Sequence, residues 1–121
     1  MTVADFDEAV AFYRDSLGMT QLEDWSTESG RVILLEAGRA TLELIDESQA
    51  AVIDDIEVGR RVSGVVRLAL DVDDCEEAAQ RLVGGGASLE GPAAVTPWGD
   101  RNARVRAPDG MQLTLFSPAV D

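Results

Sequence analysis

The chain predicts an α+β fold built from two βαβββ modules in tandem. Three observations predict it. The sequence repeats itself at half length. Each half opens with an acidic cap before an amphipathic helix, and each half closes on a strand of alternating polar and apolar residues. Slide the 121-residue chain along itself by 69 positions: Val3 lands on Val72, Asp5 on Asp74, Glu8 on Glu77 and Ala9 on Ala78. With two residues gained by the second half on the way, "ATLELI" (40–45) meets "MQLTLF" (111–116). A unit of this length, present only twice, is too long for a solenoid repeat and implies two paired modules.

The elements follow in order. Thr2-Val3 is the stub of a first strand. Two residues are few for a central strand, which leaves room for residues before Met1 or for a partner's strand. Asp5 is an N-cap with Glu8 three residues on, the spacing of a capping box. The helix runs to about Leu17, with Phe6, Val10, Tyr13 and Leu17 on one face, and Gly18 stops it. Strands are expected at 20–25, 30–36 and 40–45, separated by "STESG" and "AGR". The second half repeats the plan: a strand over 65–72, a helix capped by Asp74 to about Val83, the stop "GGG", then strands at 87–90, 102–106 and 112–116. "APDG" has the residues of a type I turn. This sets module one at 1–46, a linker at 47–64 and module two at 65–121. Within the linker, "QAAVIDDIEV" carries helical periodicity.

Composition narrows the function. Asp and Glu number 23 against 10 basic residues, a net charge of −13, and His is absent. A surface of this sign repels phosphate backbones and attracts cations, or serves solubility alone, so nucleic acid is not an expected partner. Without His there is no Ser-His-Asp triad, no imidazole base and no His metal ligand. The lone Cys75 forms no internal disulfide and reads as a small helix residue. No apolar run is long enough for a membrane span, and the N-terminus lacks a secretory pattern, which gives the expectation of a cytoplasmic protein.

The phrases "VADFDEAVAFYRDSLGM", "VRLALDVDDCEEAAQRL", "TPWGDRNARVRAPDG" and "MQLTLF" stand in order along nearly the whole chain. Together they resemble the vicinal oxygen chelate superfamily, which holds glyoxalases, extradiol dioxygenases and bleomycin-resistance proteins. The resemblance implies that the two modules form curled mixed sheets around a cleft. It also implies four metal-ligand places, one on the first and one on the last strand of each module, filled in the enzymes by His, Gln or Glu. Here the first-strand place of module two falls on Arg67, and that of module one falls upstream of Met1. The last-strand places fall on Glu43 and Thr114. One carboxylate, a hydroxyl and a guanidinium do not make a transition-metal site, because Arg has no free acceptor and carries a positive charge. The expectation is no metal and no cofactor.

Alternation assigns the faces. Arg67, Ala69 and Asp71 oppose Leu68, Leu70 and Val72; Thr41, Glu43 and Ile45 oppose Leu42 and Leu44; Gln112, Thr114 and Phe116 oppose Leu113 and Leu115. The leucine faces are expected under the helices and the mixed faces around the cleft, where Glu43 and Arg67 either pair or serve as polar handles. Trp98, in a Pro-Trp-Gly loop like that of the bleomycin-resistance branch, either stacks on a flat ligand or shapes its loop. Trp25 is a second candidate wall, and Phe116 lies between cleft and core. The expected ligand-binding set is therefore Trp98, Trp25, Glu43, Arg67, Thr114, Phe116 and Gln112, with no catalytic residue assigned. The expected function is metal-free binding of a small aromatic or cationic molecule, an antibiotic by preference, in a homodimer that resists it by sequestration. The alternatives are a metal-dependent lyase, isomerase or dioxygenase, a metal-free enzyme with a carboxylate base such as Glu43, and a binding domain for another metabolite.

Overall fold

The computed structural model describes residues 1–16 and 18–119. Leu17, placed above on the first helix, lies outside the described residues. The chain divides into two compact units, Met1–Val52 and the remainder from Ile53.

In the first unit Asp5 caps α1 (Phe6–Val10), its side chain accepting from the Glu8 amide at 2.9 Å. The winding then widens to a π-helical segment, Ala11–Ser16. The expected single α-helix is thus interrupted, as happens where a helix must absorb an extra residue per turn. Tyr13 still packs beside Phe6 and Val10. Strands β1 (Gln21–Asp24), β2 (Val32–Ala37) and β3 (Ala40–Ile45) form an antiparallel sheet in that order. Leu35 and Leu44 are fully buried under the helix side. Each contributes roughly 1.5–3 kcal/mol of transfer free energy. Thr2 pairs in parallel with Ile45, and the Val3 amide donates to the Ile45 carbonyl at 3.0 Å, which is the predicted strand stub.

Helix α2 (Glu47–Glu57) carries the boundary between units. In the second unit β4 (Arg67–Asp71) pairs in parallel with β7 (Gln112–Pro118), which pairs with β6 (Asp100–Arg106) and then β5 (Ser88–Val95). The Asp71–Phe116 pairing, with the Val72 amide donating to the Phe116 carbonyl at 2.9 Å, reproduces Thr2–Ile45 of the first unit. The repeat in the sequence is thus a repeat of strand register. Asp74 caps α3 (Cys75–Gly84) through the Glu76 and Glu77 amides. The helix lays Cys75, Ala78 and Ala79 on Ala103, Val105 and Leu115.

Two further expectations change. Strand β5 runs past Glu90 through Gly91 and Pro92, because it is the edge of its sheet and an edge strand needs no second row of amide donors. The leucines of β4 are not covered: Leu68 and Leu70 are 46% and 42% exposed. Strand β4 is the opposite edge, and α3 packs on β5, β6 and β7. Among the described residues no helix is long and apolar enough to cross a membrane.

Candidate functional site

The mixed face of the second unit's sheet closes on a buried ionic network. At its centre is Arg104, 0% exposed, on β6. Alternation puts Ala103 and Val105 into the helix-side core and Asn102 and Arg104 on the other face. There they meet Asp54 and Glu57, three residues apart on one side of α2. Arg104 Nη1 donates to Asp54 Oδ1 at 2.9 Å, Ser63 Oγ at 2.9 Å and Gln112 Oε1 at 3.2 Å. Its Nε donates to Glu57 Oε1 and Thr114 Oγ1, both at 3.2 Å. Asn102 Nδ2 donates to Glu57 Oε2 at 3.3 Å.

Asp54 is fully committed. Besides Arg104 it accepts from Ser63 Oγ at 2.6 Å, from the Val62 and Ser63 amides, each at 2.8 Å, and from Arg61 at 3.0 Å. Burial pushes its carboxyl up, but the hydrogen bonds from Ser63, Val62 and Arg104 outweigh that and hold it well below the usual carboxylate range. An anion so held is a structural counter-ion and a poor base.

Thr114, one of the places the resemblance gave to a metal ligand, is saturated. Its hydroxyl donates to Glu57 Oε1 at 2.8 Å. It accepts from Arg67 Nη1 at 2.7 Å and Arg104 Nε at 3.2 Å. One proton and two lone pairs complete a hydroxyl's capacity, so none remains for a metal. The two metal places of this module, Arg67 and Thr114, are hydrogen-bonded to each other. Among the described residues no group of three or more His, Cys, Asp or Glu converges as a metal cluster. A divalent cation does not fit this arrangement.

The predicted residues are distributed as follows. Arg67, Thr114 and Gln112 come together in the network, where Thr114 and Gln112 are buried. Phe116 is half-buried on the same strand. Trp98 is 50% exposed on the turn between β5 and β6. The turn is tied by Thr96 and Asp100: Thr96 N and Oγ1 both donate to the Asp100 carbonyl, at 2.8 and 3.1 Å, and Gly99 takes φ of 94°. The indole is thus carried, half-exposed, on a held turn. Trp25, 52% exposed beside β1, and the half-buried Glu43 on β3 belong to the first unit. An open cavity of about 480 Å³ is lined by Val62, Gly64, Val66, Gly110, Met111 and Gln112, so its wall includes one member of the network.

Asp54, Glu57, Ser63, Asn102 and Arg104 were not anticipated. Two signals could have found them: the carboxylates of Asp54 and Glu57 at i, i+3 on one side of a helical stretch, and the polar alternation of Asn102 and Arg104 in a strand.

A model of the glyoxalase/bleomycin resistance protein/dioxygenase superfamily matches residues 1–115. Among curated protein sequences none matches the chain. Solved structures do. A hypothetical protein from Bacillus halodurans is 18% identical with a TM-score of 0.71, covering 99% of this chain and 91% of its own. A superfamily member from Vibrio splendidus is 16% identical with a TM-score of 0.68, covering 97% and 93%. Both show the fold alone. The methylmalonyl-CoA epimerase of Mycobacterium tuberculosis is 25% identical with a TM-score of 0.66, covering 98% and 84%.

Proposed function

This chain belongs to the glyoxalase/bleomycin resistance protein/dioxygenase superfamily, and from that premise we propose that it binds a small flat or cationic molecule without a metal, with antibiotics as the ligand class and sequestration as the mechanism. One observation carries the metal-free part: Thr114 spends its proton on Glu57 and both lone pairs on Arg67 and Arg104. The ligand class is supported by the exposed indole of Trp98 on its tied turn and by the net charge of −13, which draws cations.

The test has two readings. Elemental analysis of the purified protein is expected to give no stoichiometric zinc, iron, manganese or nickel. A cationic aromatic antibiotic is then expected to quench tryptophan fluorescence, and Trp98→Ala to weaken its binding about tenfold, the order of a lost aromatic stack with its buried area. Near-equimolar metal, or unchanged affinity in Trp98→Ala, would overturn the corresponding half.

The likeness to an epimerase favours a second reading, isomerase chemistry on the same scaffold. With Thr114 saturated, such chemistry would rest on a carboxylate base, for which Glu43 is the candidate. Turnover of a bound ligand that Glu43→Gln abolishes would select it.

Modules of this plan expose sheet edges, here β4 with Leu68 and Leu70 uncovered, and a symmetric homodimer is part of the proposal. Light scattering at micromolar concentration is expected to give twice the 12.9 kDa of one chain. A mass of one chain would count against it.

A further inference from the structure

The Arg104 guanidinium is not used as a fork. Three N–H groups, two on Nη1 and one on Nε, serve five oxygens: Asp54 Oδ1, Ser63 Oγ, Gln112 Oε1, Glu57 Oε1 and Thr114 Oγ1, all within 2.9–3.2 Å. Meanwhile Nη2, equally buried, has no hydrogen-bond partner among the described residues. Bidentate pairing would put two parallel N–H groups on the two oxygens of one carboxylate, whereas Asp54 and Glu57 each take a single Arg104 nitrogen on a single oxygen. Crowding of oxygens around one side of the charge is instead how a protein surrounds an ion. The five accepting oxygens come from two carboxylates, one amide carbonyl and two hydroxyls, the hard oxygen set that suits calcium, magnesium and manganese and not zinc or copper.

We infer that the Arg104 side chain is a built-in cation filling an all-oxygen cage, and that cutting it back uncovers a site for a divalent hard cation, calcium above the others. Calcium is favoured because it accepts irregular oxygen shells of six to eight ligands, whereas magnesium demands a near-ideal octahedron. Waters would complete a shell of five protein oxygens. Arg61 on Asp54 and Arg67 on Thr114 remain as neighbouring positive charges. They place the affinity of the uncovered site in the weak, roughly 10⁻⁴–10⁻³ M range of calcium modules. The parent protein, with its cation covalently attached, gains nothing from calcium. This holds whatever small molecule the chain binds.

The experiment is thermal unfolding of the parent and of Arg104→Ala, each in EDTA, in about 10 mM calcium chloride, and in sodium chloride of equal ionic strength. The variant is expected to melt well below the parent in EDTA and to rise by roughly 4–15 °C with calcium but not with sodium, as a ten- to hundredfold ligand excess implies. The parent is expected to respond to neither. If Arg104→Ala does not fold in EDTA, its recovery of far-ultraviolet ellipticity on refolding in calcium against sodium gives the same reading. A second variant, Arg104→Ala with Asp54→Asn and Glu57→Gln, removes the cage's charge and is expected to lose the calcium response. Equal melting of Arg104→Ala in calcium and sodium, an equal calcium shift in the parent, or a calcium response that survives the triple change would each overturn the inference.

Discussion

Asp54→Ala is expected to lower the free energy of unfolding by about 3–5 kcal/mol, the cost of removing one partner from a buried ion pair. The carboxylate accepts from Arg104, Arg61, Ser63 and the Val62 and Ser63 amides. Alanine removes the acceptor of the Ser63 hydroxyl and of the Val62 and Ser63 amides, and leaves the buried guanidinium with Glu57 as its one anionic partner among the described residues. Domains of this size are stable by only about 5–15 kcal/mol in total, so the loss is a large share. Urea unfolding in a Trp25→Phe background, where the remaining indole is Trp98 of the second unit, measures it. A midpoint within 0.3 M urea of the parent, at unchanged slope, would show that the network carries little of the unit's stability.

The same side chain sets a pH dependence, and its sign follows from the direction of the shift. The folded carboxyl is held below its ordinary value, by hydrogen bonds that overcome the cost of burial. Its contribution is therefore complete above the unfolded value of about 3.9 and is lost as pH falls through the lower folded value. The gap between parent and Asp54→Ala should accordingly be constant from pH 7 to about 5 and close progressively below about pH 4. A gap that widens on acidification would contradict the assignment.

Local features of the fold were legible and distant ones were not. The strand at Ala40–Ile45 stands as expected because alternation, cap and turn residues all lie within a few positions of it. The register of the repeat was readable too, since Thr2–Ile45 and Asp71–Phe116 occupy matching places. The end of β5 was misjudged because Gly91-Pro92 reads as a break, and only its place at the sheet edge makes that pair acceptable. The network lay deeper. It joins Asp54 and Glu57 to Arg104 across 50 and 47 residues, through a segment read as a linker. Each member alone looks like a solvated charge. Only the folded sheet shows that α2 brings two carboxylates onto the face that carries Arg104. Thr114 was flagged for what it fails to do, ligate a metal; that its hydroxyl is wholly spent on three partners required the structure.

Gly91→Ala is expected to destabilise the second unit by about 3 kcal/mol or more, at the upper end of what overpacking costs. A Cβ at this position would lie 1.9 Å from the Glu57 carbonyl oxygen, 3.0 Å from its carbonyl carbon and 3.5 Å from Val58 Cα, whereas real Cβ contacts do not fall below 3.0 Å. The obstacle is backbone, at the last turn of α2, so no rotamer relieves it. The helix end must move by more than 1 Å, and Glu57 must move with it. That displacement stretches its bonds to Asn102, Arg104 and Thr114, two of which already stand at 3.2–3.3 Å. The glycine therefore acts at a distance on the charge centre, by letting β5 lie against the helix that supplies the carboxylates. Gly84, at the end of α3 with open space around it, is the matched control. Alanine there is expected to be neutral or to stabilise by up to about 1 kcal/mol, since it adds helix propensity and meets nothing. Urea titration of both variants separates the two effects. A Gly91→Ala midpoint as high as that of Gly84→Ala would mean that α2 is not seated on β5 as the structure has it.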